Sequence, residues 1–139
     1  MDTVLKKNDI TPENILCWVN NKYAFTRGDY DILMQKNGDV LYMINHLLPG
    51  KMLSFSATYY WDFYSFIRPE KLDQFCSEAC AVSPILRIYQ DYSLDAMQMD
   101  FTLIYDETLR RNFFCDILDT FMEEVDGTLY LFREKFHLQ

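Results

Sequence analysis

From Leu53 to Tyr59 the chain alternates without exception, with Leu53, Phe55, Ala57 and Tyr59 set against Ser54, Ser56 and Thr58. A period of two puts the apolar set on one side of a strand and the hydroxyls on the other, so this segment must be a strand with one face in a core. Two further segments carry the same period just before it: Tyr30, Ile32 and Met34, then Val40, Tyr42 and Ile44. Between those two lies Asn37-Gly38, a strong hairpin signal, because both central residues of a type I′ turn need positive φ. Pro49-Gly50 supplies the next turn. Three antiparallel strands in a meander are the economical arrangement.

Helical periods bracket these strands. Thr11-Pro12-Glu13 gives an N-cap, a proline at the first helical position and an acid at the positive helix end. With Ile15, Leu16 and Val19 on one face, it predicts a helix over roughly 12–21, preceded by a polar, aperiodic and frayed lead-in at 1–10. Arg68-Pro69-Glu70 opens a second helix with Leu72, Phe75, Cys76 and Ala79 on its apolar row, closed by Pro84. Two strands follow, one around Leu86 and Ile88 and one at Met97, Met99, Phe101 and Leu103, with a turn near Tyr92-Ser93-Leu94-Asp95. The last helix starts near Asp106 and runs to about residue 136 on the row Phe114, Leu118, Phe121, Val125, Leu129, Phe132 and Phe136. That row crosses Gly127 in phase, although glycine there costs ~1 kcal/mol relative to alanine and marks the place for a bend. The predicted order is α-β-β-β-α-β-β-α: an α+β fold, a mostly antiparallel sheet of about five strands flanked by helices, in one domain spanning 1–139.

The chain of 139 residues is long enough to bury about 68% of its unfolded surface without staples. Its net charge of −8 repels phosphate backbones and anionic head groups, which argues against nucleic acid and membrane surfaces as partners. The opening Met1-Asp2-Thr3-Val4-Leu5-Lys6-Lys7 has no apolar signal region, and Cys17, Cys76, Cys80 and Cys115 form no disulfide pattern, so a cytoplasmic setting is expected.

Little in the sequence carries chemistry. Cys76 and Cys80 share a helix face, but a zinc site needs four ligands and no second pair exists, so they are expected to be core cysteines and no metal or cofactor is predicted. Cys17 with His46 could make a nucleophile and base only with an orienting group and an oxyanion turn, and neither is evident. Glycines occur only at 28, 38, 50 and 127, too sparsely for a phosphate-cradling loop. Asp116, Asp119 and Glu123 make an acidic stripe on the last helix, which is how a solvated face looks. No catalytic residue is assigned.

The unusual segment is Thr58 to Phe66, with six aromatics in nine residues. Alternation cannot send all of them inward. Tyr59, Tyr60, Trp61, Phe63 and Tyr64 are therefore candidate partner-binding residues, because aromatics concentrate where a protein buries a partner or its own twin. A pocket near 59–66 for a small molecule or a reaction is the alternative.

The element order, with the strand pair ending in Met99-Asp100-Phe101-Thr102-Leu103 followed by a helix bearing Phe114, Leu118 and Phe121, resembles the class I type III secretion chaperone fold. Within it the chain is most similar to the YbjN-like group of bacterial sensory transduction regulators. The resemblance implies a cytoplasmic homodimer that binds protein segments, chaperone-like or regulatory, without catalytic residues or cofactor.

Overall fold

The computed structural model describes residues 2–36, 40–48, 51–60 and 67–137. In chain order these form β1 (Val4–Lys6), a 3-10 turn (Lys7–Asp9), α1 (Pro12–Val19), β2 (Thr26–Arg27), β3 (Asp31–Lys36), β4 (Val40–Leu48) and β5 (Met52–Tyr60). Then follow α2 (Pro69–Val82), β6 (Arg87–Asp91), β7 (Ala96–Ile104), β8 (Thr108–Arg110) and α3 (Arg111–Lys135). Six strands make one sheet in the order β2-β3-β4-β5-β7-β6, and β1 pairs with β8 in a separate ribbon. Every pairing is antiparallel. The α+β class with an antiparallel sheet flanked by helices is therefore the observed one.

Register turns the period-two patterns into rows. Ile32 lies opposite Ile44, Ile44 opposite Phe55, and Phe55 opposite Phe101. The next row runs Met34, Tyr42, Ala57, Met99 and Ile88. These rows make one buried face, and α3 lies across it: Phe55 meets Phe114 and Phe121 at 5.6 and 5.7 Å between ring centres, and Tyr42 meets Phe121 edge-on at 6.5 Å. Offset and edge-on geometries of this kind add to the area term in holding a core together. The outer face is wetter and hydrogen bonded. Thr58 donates to Gln98 Oε1 at 2.7 Å, Gln98 donates to Ser56 Oγ at 2.8 Å, and Tyr89 donates to Asp100 at 2.8 Å.

Three expectations need correction. Within the segment expected to be a frayed lead-in, residues 2–10 are ordered into the fold: Val4–Lys6 pairs with Thr108–Arg110, and Ile10 is buried in the core. Its polar residues have work to do at the start of α3, which has no cap of its own. Arg111 N–H donates to the Thr3 carbonyl at 2.8 Å and Asn112 N–H to Asp2 Oδ1 at 2.9 Å, which satisfies donors a helix start leaves open. Second, the last helix begins at Arg111 rather than near Asp106, because Thr108–Arg110 is taken by that ribbon. Third, the sheet has six strands, since Thr26–Arg27 adds to the β3 edge. The Asn37-Gly38 and Pro49-Gly50 turns lie outside the described residues. The helix does continue through Gly127 to Lys135, with its row buried from Phe114 to Phe132 and Phe136 half-buried just past its end.

Candidate functional site

The aromatic run divides at its first two residues. Tyr59 falls on the inward side of β5, is 4% exposed, and packs edge-on to Phe132 at 5.5 Å. Tyr60, one residue on, points the other way and is 40% exposed. Tyr59 thus serves the core, as the alternation of the preceding residues dictates. Trp61, Phe63 and Tyr64 lie outside the described residues.

Tyr59 leads to a surface that the sequence did not single out. Its partner Phe132 also meets Phe75 of α2 edge-on at 5.2 Å and Phe136 at 5.0 Å, and Phe75 meets Phe136 at 6.0 Å. This aromatic stack joins α2 to the end of α3, and its member Phe75 lines a groove between them. Above Phe75 a concavity of about 420 Å³ is walled by Ala79, Val82 and Leu131, with Glu78, Glu134 and Lys135 at its rim. A second, of about 400 Å³, continues past Ala79, Val82 and Leu131 to Pro84, Gly127 and Tyr130, with Glu124 beside it. Val82 is 73% exposed, Tyr130 62% and Leu131 47%. Three large apolar side chains thus stand open to water around one groove. The sequence carried one usable signal: Tyr130 and Leu131 are apolar yet sit beside, not on, the buried row of α3.

Polar groups elsewhere are engaged in local contacts. His46 Nε2 is 2.7 Å from the Tyr105 hydroxyl, and burial holds its imidazole below its ordinary pKa. Cys17 is exposed on α1, so the structure pairs His46 with Tyr105 rather than with that thiol. Burial pushes the Cys76 thiol up to about 12, with Asp73 and Cys80 adding to the effect. Cys80 fastens α2 to β6: its Sγ lies 3.6 Å from the Leu86 carbonyl and 3.5 Å from the Ile88 N–H. Of the acidic stripe, Asp116 and Glu123 are exposed, whereas Asp119 accepts from the Tyr23 hydroxyl at 2.6 Å and from Lys22 Nζ at 3.0 Å. Gln90 is buried on the inward side of β6, and neither side-chain amide atom has a hydrogen-bond partner among the described residues. Among the described residues no group of three or more His, Cys, Asp or Glu side chains could hold a metal ion, and no helix is long and apolar enough to cross a membrane.

The fold defined by these elements, an antiparallel sheet with one long helix across its buried face, is shared with a solved protein. The crystal structure of YbjN from E. coli, described as a proposed transcription regulator, superposes with a TM-score of 0.68 at 16% sequence identity, covering 91% of this chain and 93% of that one. At that identity the likeness is one of fold. No family model matches the sequence, and no curated protein matches it.

Proposed function

We propose that this chain is a non-enzymatic protein-interaction module, chaperone-like or regulatory, that works bound to a protein partner or to a second copy in the cytoplasm. The observation that carries this reading is the open groove between α2 and α3, where Val82, Tyr130 and Leu131 stand in water with Phe75 beneath one end. An apolar cluster gathered around a groove is a place where a protein surface receives a partner. The likeness to YbjN, itself described as a proposed regulator, supports a regulatory role, and the net charge of −8 favours a protein over a nucleic acid as the contacted molecule. Tyr60, Trp61, Phe63 and Tyr64 remain candidates for a second contact.

The test is sedimentation velocity together with affinity capture from lysate of the source organism, comparing wild type with a Val82→Ser/Leu131→Ser variant. Wild type should sediment as a dimer or retain a partner that the variant loses at unchanged melting temperature. A wild type that is monomeric and retains nothing, or a variant that behaves identically, sinks the proposal.

A further inference from the structure

We infer that the groove between α2 and α3 takes a short amphipathic helix from a protein partner, one whose apolar face is bordered by Lys or Arg; this rests on the protein-contact reading above. Three independent features select that occupant. The first is the nature of the walls. Both are helices, and except at the Ser83-Pro84 end, where α2 stops, their backbone groups are bonded internally, so most of the groove offers side chains only. An extended segment laid there would find no ladder for its own N–H and C=O groups, whereas a helix satisfies them itself.

The second feature is charge. Glu78 and Glu134 border one end of the groove and Glu124 the other, against Lys135 alone. A second copy meeting this face with its own would oppose like charges, on a chain already at −8. A basic border on the partner complements the carboxylates instead, which favours both encounter and register.

The third feature is Gly127. Glycine within a helix is destabilising relative to alanine, and here nothing inside the molecule requires it: a Cβ built on Gly127 would meet no atom within 4 Å. It lines the groove beside Tyr130 and Leu131. A missing side chain on a groove wall lets a second helix backbone approach closely, with its anchors falling between Val82 on one side and Leu131 on the other.

The test uses a fluorophore-labelled synthetic helix of roughly four turns with leucines at i, i+3, i+4 and i+7 and lysines elsewhere, followed by anisotropy. Its comparisons are the same peptide with glutamates for the lysines and a scrambled peptide of equal composition. We expect wild type to bind the lysine peptide alone. Binding should weaken at least about tenfold in Val82→Ser/Leu131→Ser and in Glu78→Lys/Glu134→Lys. Gly127→Leu should weaken it similarly while its melting temperature does not fall. Ile104→Ser, at an exposed position on β7, should change nothing, and Asp106→Lys/Asp116→Lys, which alters net charge equally away from the groove, should bind within about twofold of wild type.

Equal binding by all variants, or by the scrambled or glutamate peptide, overturns the inference. So does a wild-type dimer that Val82→Ser/Leu131→Ser dissolves while no peptide binds, since the occupant is then a second copy. If cellular partners depend on Val82 and Leu131 but the lysine peptide does not compete with them, the contact surface stands and the basic helix falls.

Discussion

Replacing Gly127 by alanine separates a residue held for folding from one held for something else. The position is exposed within α3, and the added Cβ would meet open space. The folded state should therefore gain the ordinary glycine-to-alanine difference of a helix interior, about 0.8–1 kcal/mol, with no steric charge against it. Unfolding entropy of about 2.1 cal/mol/K per residue gives roughly 0.29 kcal/mol/K for 139 residues, so the gain corresponds to a rise of about 3 °C in Tm. Thermal melts by circular dichroism, with urea titrations whose slope should not change, measure it directly. A Tm that is unchanged or lower would refute the reasoning, because it would mean that the helix at Gly127 is strained or that its surroundings are closed.

Asp2→Ala should remove the side-chain acceptor at the start of α3 and lower stability by about 1 kcal/mol, visible as a loss of roughly 3 °C in Tm, whereas a frayed N-terminus would show no change. Gln90→Met, near-isosteric and apolar, should leave urea stability equal or raise it by up to about 1 kcal/mol, because both amide atoms are buried without partners among the described residues; a loss would show that Gln90 is satisfied in solution. Burial acts to raise the Asp119 pKa, but the Tyr23 hydroxyl and Lys22 outweigh it, and the carboxyl is held below its ordinary value. Its contribution is thus present above the unfolded pKa of about 3.9 and lost as pH falls through the lower folded value, so Asp119→Asn should be less stable than wild type at pH 7 and converge with it in acid. Iodoacetamide near pH 8 should label exposed Cys17 readily and Cys76 only after unfolding, as mass spectrometry of native and urea-treated protein would show.

Most of the sheet was legible because each strand that faces the core carries its own alternation. Leu53 to Tyr59 predicts β5, and Tyr92 to Asp95 predicts the turn between β6 and β7, since both signals are local. The β1–β8 ribbon was not legible. Its strands are three residues each and mostly exposed, and what defines them is a pairing across more than a hundred residues, Val4 with Arg110. Asp2 and Thr3 look like a polar tail until α3 is seen to lack a cap. The groove was hidden for a related reason: α2 and α3 each show a buried row, and the exposed residues beside those rows become one surface only when the Phe75–Phe132 contact sets the two helices side by side. Tyr59 shows the reverse error, since an aromatic count drew attention to it while the strand period had already placed it inside.

Site-specific photocrosslinking bears most directly on the central claim, that the α2–α3 groove is where this chain meets another protein. A benzophenone side chain at Leu131, 47% exposed at the groove, would be compared in cells of the source organism with one at Ile104, 74% exposed on β7. The account predicts a discrete protein adduct from position 131 and none from 104, with the adduct lost when Val82→Ser is added. No adduct at 131, or equal adducts at both positions, would contradict it.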